Sequence, residues 1–353
     1  MSAGPYTVRA HGHLIPGRRV ERLFLVSPAF HGYHRSIAAG WAQQGFDVTV
    51  HTYDAYATLG MKVRNKALLE LPQKIGVDRS AARTAWDTER AVAVLRAARP
   101  DRVLVIKGDS LGQAFWDAVD GLGVPRMLWL YDDLHRHAYS ADFLRRVGPV
   151  LSYARSEADA LAADGVDAHY LPNGFDPDLP VPHLERRPEV VFVGSRYENR
   201  VELLTRLVTA GVPVRAYGRQ WSHHPLDRLR TWELRRPDVP AERDIPLEEA
   251  YAVQAAAAAA INVHGLQAGH AMRTFEVPGM GGLQLVDRAD AAEFYEPGRE
   301  VLVFEGPEHL VELAQRVVAE PAWGERIREA GRTRSHAEHT FAHRARAAQE
   351  WWA

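Results

Sequence analysis

Short apolar runs alternate with segments of helical period along the whole chain. Arg22–Ser27 (RLFLVS), Phe46–His51 (FDVTVH), Arg102–Lys107 (RVLVIK), Arg126–Leu130 (RMLWL), Val150–Tyr153 and Ala168–Leu171 each read as a buried strand. Between them, His34–Gln44, Asp78–Arg99, Ser110–Gly121 and Ser156–Ala163 space their apolar residues as the buried face of a helix does. Gly45 stops the first of these helices and Pro100 follows the second. Strands that are apolar throughout are covered on both faces. Alternating them with helices predicts a parallel, doubly wound sheet.

The pattern breaks over 172–188 (PNGFDPDLPVPHLERRP), which holds five prolines and no periodicity. It then restarts. Val190–Val193, Val214–Tyr217, Ala257–Val263, Leu283–Val286 and Val301–Phe304 read as strands. Asn199–Ala210, Leu247–Gln254, Met272–Pro278, Glu308–Ala319, Ala322–Arg332 and His336–Trp352 read as helices. The expectation is an α/β protein with a Rossmann-like domain over 1–175, a linker at 176–188 and a second Rossmann-like domain over 189–334. Ligands of open α/β sheets sit beyond the carboxyl ends of the strands, and pockets favour domain interfaces. Two such domains facing across a cleft direct attention to the loops that follow strands.

Composition narrows the class. Of 353 residues, 46% are hydrophobic and 25% charged, which describes a folded globular protein. The formal charge of -2 argues against a general nucleic-acid or membrane-surface binder and leaves room for a local basic pocket. With no cysteine, disulfides, thiolate zinc sites, iron–sulfur clusters and a cysteine nucleophile are excluded together. The first residues lack the apolar core of a signal peptide, and no run approaches the roughly 18 apolar residues of a membrane span. A cytoplasmic location is therefore expected, with no membrane span and no nucleic-acid partner. Nothing in the sequence speaks to oligomeric state.

Candidate chemistry concentrates in the second half. Gly194 and Ser195 follow a strand, and Arg196 and Arg200 lie at the start of the next helix. A glycine there lets backbone approach a ligand, the helix N-terminus favours an anion, and arginines add charged hydrogen bonds to phosphate. An ordinary turn with exposed arginines is the competing reading. Tyr217-Gly218-Arg219 repeats the theme after the next strand. The segment 261–287 (INVHGLQAGHAMRTFEVPGMGGLQLVD) runs strand, glycine-containing loop, helix, strand. Its Glu276 is an acceptor-only carboxylate, suited to a vicinal diol such as a ribose. Arg273, one turn earlier, either pairs with Glu276 or reaches a phosphate.

These motifs, taken in order, resemble a known family. Asn262-Val263-His264, Arg273-Thr274-Phe275-Glu276, Gly281-Gly282 and Phe294–Glu300 (FYEPGRE) are similar to the C-terminal half of the spore-maturation (CgeB-like) glycosyltransferases, of the GT-B fold. Tyr170–Asp176 (YLPNGFD), Val191–Ser195, Val214–Gly218, and His339-Thr340-Phe341 with Arg344 extend the resemblance over roughly 150–352. The resemblance implies a nucleoside diphosphate sugar as co-substrate, bound by the second domain, with no cofactor and no metal. It places Glu276 on the nucleotide ribose. Arg200 and Arg196 face the diphosphate, Gly194 and Gly218 lie at close approaches, and Ile245 lies where backbone reads the base. The loop Gly269–Met272, with His270, and the neighbouring Arg273 and Thr274 complete the donor site. A C-terminal helix over 335–353 packs back on the first domain. Related retaining enzymes carry a second glutamate where this chain has Ala268, so retention and inversion both stay open.

An inverting transfer also needs a base for the acceptor hydroxyl. His31 and Asp109, in loops after strands, are the candidates. His34 and Asp132 are candidate acceptor contacts, together with the irregular 54–75 stretch. The expected function is transfer of a hexose-like sugar to a natural product or glycan, with closure of the domains. A nucleotide-sugar epimerase or hydrolase on the same fold, or a non-catalytic binding protein, is the alternative.

Overall fold

The apolar runs become strands close to where the pattern puts them. The computed structural model describes residues 4–11, 19–55, 78–265 and 267–352. It divides into two units, 1–172 with 341–353, and 173–340. Most of the 54–75 stretch lies outside the described residues.

The first unit holds strands β1 (Tyr6–Val8), β2 (Glu21–Ser27), β3 (Phe46–Thr52), β4 (Arg102–Ile106), β5 (Arg126–Trp129), β6 (Val150–Ser152) and β7 (Ala168–Tyr170). Their order is β1-β3-β2-β4-β5-β6-β7, parallel except for β1, which runs antiparallel on β3 at the edge. Central β2 is flanked on both sides, with Leu25 opposite Val50 and Leu104. Helices α1 (Tyr33–Gln43), α2 (Ser80–Ala98), α3 (Gln113–Asp120), α4 (Ala141–Leu144) and α5 (Arg155–Ala163) connect the strands. Ala91 and Leu95 of α2 and Phe115 and Val119 of α3 join Val103 and Val105 of β4 in one buried cluster. This is the doubly wound pattern, and it puts the loops after β2, β4 and β5 at one edge of the sheet.

The second unit holds β8 (Arg187–Val193), β9 (Val214–Tyr217), β10 (Ala241–Glu242), β11 (Ala257–Asn262), β12 (Gln284–Val286) and β13 (Leu302–Val303). All are parallel, in the order β10-β9-β8-β11-β12-β13. Between them run α6 (Glu198–Thr209), α7 (Pro225–Thr231), α8 (Leu247–Ala256), α9 (Arg273–Gly279), α10 (Pro307–Ala319) and α11 (Pro321–Glu338). The alanine run becomes a central strand because its neighbours hold it. Ala259 and Ala260 pair with Val190 and Val191, and buried Arg328 of α11 donates to the carbonyls of Ala257 and Ala258 at 3.1 Å.

Some boundaries differ from the expectation. β8 begins at Arg187, inside the stretch read as linker. One helix, α11, runs to Glu338, past the break expected near Arg332. Thr340 then bridges to Phe175, and a last helix, α12 (Phe341–Ala348), belongs to the first unit. There it lies tight on α1: a Cβ on Gly40 would stand 2.6 Å from the Phe341 carbonyl carbon. The Trp352 ring meets Trp41 at 4.7 Å, and Arg102 lies 5.3 Å over it. Among the described residues no helix is long and apolar enough to cross a membrane.

Candidate functional site

In the second unit, β8 and β9 are each followed by a glycine held where L side chains rarely go. Gly194 has φ +152° and Gly218 has φ +151°. A Cβ on Gly218 would stand 2.8 Å from the Gly194 carbonyl oxygen, so the two turns touch. The Trp221 indole N–H donates to that same oxygen at 3.0 Å. Arg273, at the start of α9, reaches into this corner. Its Nη1 donates to the Val193 carbonyl at 3.2 Å and lies 3.2 Å from where a Gly194 Cβ would be. Two glycine turns and one half-buried guanidinium thus converge at the carboxyl edge of the sheet.

Arg200 is placed differently from the expectation. It is buried and acts as a strut, donating to the Ser195 carbonyl at 2.9 Å and the Val263 carbonyl at 2.6 Å. Burial, with Arg273 nearby, pushes its guanidinium down to about 10. Arg196 is also engaged, bonded to Glu233 at 2.5 Å. Arg273 is therefore the guanidinium beside the glycine turns, and two cations share the region. That arrangement favours an anion.

The loop before α9 is fixed from behind. Arg288 donates to the carbonyls of Gln267, Ala268 and Gly269 at 3.4, 3.2 and 3.0 Å. Trans peptides then turn the N–H groups of Ala268, Gly269 and His270 the opposite way. His264 Nδ1 lies 2.8 Å from Asp287, and its Nε2 accepts the Ala271 N–H at 3.2 Å. The ring is therefore neutral with its proton on Nδ1. Burial holds its pKa below the ordinary value. Burial, with Arg288 nearby, pushes His270 down to about 4, so it too is neutral near pH 7. The His270 carbonyl accepts from Asn173 at 3.1 Å.

Thr274 is fully buried and takes the Asn262 amide at 3.0 Å, so it holds the loop and helix together from inside. Glu276, expected at the nucleotide ribose, lies one turn into α9. It is buried there, and the Tyr251 hydroxyl donates to it. Ile245 packs on a cluster that includes Tyr217 and Val277, beside the Glu276 turn.

The first unit gathers the other candidates along one sheet edge. His31, Lys107 and Tyr131 have φ of +45°, +59° and +64°, one in each loop after β2, β4 and β5. Such left-handed conformations in large residues cost energy and cluster at functional sites. His31 is exposed, with its ring 4.4 Å from Phe30. His34 is not at the surface. It is buried on α1, and burial with Arg35 nearby pushes it down to about 4. Asp132 is held by Lys107 at 3.0 Å and Arg136 at 3.4 Å. Asp109 lies 3.7 Å from His137, whose side chain is wholly buried. Sequence reasoning missed Lys107 here, and it did not foresee the left-handed Tyr131 or the approach of His137 to Asp109. In the second unit it missed Tyr251, Asp287 and Arg288. No spacing rule marks a left-handed residue or a partner brought in from another element.

No curated protein matches the sequence. Solved structures do match the fold. A sucrose-phosphate synthase from Thermosynechococcus elongatus superposes with a TM-score of 0.61 at 15% identity, over 94% of this chain and 98% of that one. HepE from Anabaena, in complex with UDP and glucose, gives 0.57 at 14% identity, over 94% and 98%. The fold is GT-B. A UDP-N-acetylglucosamine 2-epimerase also matches, with a TM-score of 0.52 at 12% identity, over 90% and 94%. Residues 196–350 of this GT-B chain match the family model described as glycosyl transferase-like. That span holds Arg196, Arg200, Gly218, Ile245, His270, Arg273, Thr274 and Glu276. Gly194 and Ser195 precede it directly.

Proposed function

We propose that the chain is a glycosyltransferase whose second unit binds a nucleoside diphosphate sugar. The observation that carries this reading is the meeting of Gly194, Gly218 and Arg273 at the carboxyl edge of a parallel sheet. Bare backbone and a guanidinium there suit a diphosphate. The glycosyl transferase-like match over 196–350 and the UDP complex of HepE, a protein of the same fold, support it. The wider motif order supports the spore-maturation type within this class.

Each residue then has a role. As the bond from the anomeric carbon to the diphosphate oxygen breaks, its electron pair passes to the diphosphate. Arg273, with the Arg200 charge behind it and the N–H groups of 268–270, stabilises that growing charge. Glu276, positioned by Tyr251, accepts from the ribose hydroxyls, and Ile245 lies along the base. The sugar carbon gains oxocarbenium character, the acceptor oxygen bonds to it, and the acceptor proton passes to a base. His31 is the proposed base, because its ring is exposed and its backbone is held in a strained turn. Asp132 and its neighbours on the first unit are proposed to contact the acceptor, a natural product or glycan. No cofactor beyond the co-substrate is called for.

An epimerase shares the fold, so one assay must separate the two reactions. UDP-, dTDP-, GDP-, ADP- and CDP-activated sugars are incubated with the protein and a panel of acceptors. Release of nucleoside diphosphate with a new glycoside supports transfer. Conversion to an epimeric sugar without an acceptor-dependent glycoside favours the epimerase. Neither product with any donor sinks both.

A further inference from the structure

Seven large apolar side chains stand exposed among the described residues, and four of them fall within 226–234. Leu226 is 52% exposed, Leu229 59%, Trp232 86% and Leu234 76%. The first two lie one turn apart on α7. Trp232 follows at its end with φ +55°, its N–H closing on the Leu229 carbonyl. Scattered exposed apolar residues need no explanation, but a contiguous group marks an interaction site.

The segment is anchored and not loose. Asp227 points inward and is bonded to Arg243 at 2.8 and 3.1 Å. Arg236 ties down the other end, bonded to the Ser222 carbonyl at 3.1 Å, Thr231 at 2.7 Å and Glu233 at 2.8 Å. Glu233 also takes Arg196. Both acids of 219–236 are thus spent on neighbouring arginines. The segment carries five arginines against those two acids, and Arg230 and Arg235 are exposed beside the apolar group. A whole-chain charge of -2 concealed this local excess of positive charge.

We propose that Leu226, Leu229, Trp232 and Leu234, rimmed by Arg228, Arg230 and Arg235, dock the second unit on an anionic lipid bilayer surface. Exposed leucine and tryptophan bordered by arginine is a composition suited to a membrane interface. Tryptophan favours the headgroup level, and arginine reaches phosphates from there. Charge complementarity selects anionic lipid over neutral lipid. A protein partner fits less well, since a stable interface takes about 20–30 residues a side and this patch comes from one short segment. The proposal is independent of the donor site, because these side chains play no part in it.

The test is co-sedimentation of the full chain with vesicles. Phosphatidylcholine vesicles are compared with phosphatidylcholine–phosphatidylglycerol vesicles. The wild type should pellet with the mixed vesicles and not with phosphatidylcholine alone. Leu229→Glu/Trp232→Glu should need at least about tenfold more lipid. Arg230→Glu/Arg235→Glu should also weaken binding, and should reduce its sensitivity to salt. Both variants change exposed positions and should melt like the wild type. No pelleting of the wild type, or equal pelleting of all three proteins, overturns the proposal. Sedimentation-velocity evidence of a dimer that Leu229→Glu/Trp232→Glu abolishes, without lipid binding, also overturns it and assigns the patch to a second copy of the chain.

Discussion

Removing one oxygen atom tests how the candidate site is held. Tyr251→Phe keeps the buried ring and deletes the hydroxyl that donates to Glu276. Both residues are only 3% exposed, so water cannot easily replace the lost donor. A hydrogen bond to a charged group contributes about 1.5–3 kcal/mol. At about 2–4 °C per kcal/mol for a domain of 150–250 residues, the melting point should drop by roughly 3–12 °C. Nucleotide affinity should fall as well, because Glu276 loses its fixed orientation, while a donor lacking the ribose hydroxyls should lose less. Calorimetric melting and isothermal titration with nucleoside diphosphate measure the two effects. A variant that melts within a degree of wild type and binds nucleotide equally would refute the positioning role.

Gly218→Ala should abolish nucleotide binding and cost at least about 1–3 kcal/mol, because the residue sits at φ +151° with the Gly194 oxygen in the way; wild-type affinity in a titration would contradict this. His31→Ala should lower turnover and spare donor affinity, whereas His34→Ala should mainly lower the melting point; surviving turnover in His31→Ala removes it as base. Burial pushes His34, His51 and His270 to about 4, while unfolded histidine titrates near 6.5. The unfolded chain therefore binds more protons in that window, and stability should fall as pH drops from about 6.5 toward 4, by roughly 2 kcal/mol per ring at pH 5. A melting point that stays level over that range would contradict it.

Strands with continuous apolar runs were readable because burial on both faces leaves a composition signature. Elements that lack such a run were not. β1, β10 and α4 span only a few residues, and α7 carries its apolar residues outward. The same division holds at the site. Gly194 and Gly218 could be picked out because a glycine after a strand is a local signal. Arg200, expected at the diphosphate, and His34, expected at the acceptor, are both buried. Their burial is decided by partners far along the chain, such as the Val263 carbonyl for Arg200. The Arg288 brace behind 267–269 and the Tyr251 contact on Glu276 likewise join residues that no local spacing links.

The second unit is proposed to bind a nucleoside diphosphate through the Gly194–Gly218–Arg273 corner. The direct measurement is the melting point with UDP, GDP, dTDP, ADP, CDP and NAD, each in large excess, for wild type and Arg273→Ala. A ligand at a hundredfold its dissociation constant stabilises by about 2.7 kcal/mol. One nucleoside diphosphate should raise the wild-type melting point, and the rise should vanish in Arg273→Ala. A rise with NAD alone, or one that Arg273→Ala retains in full, would contradict the claim.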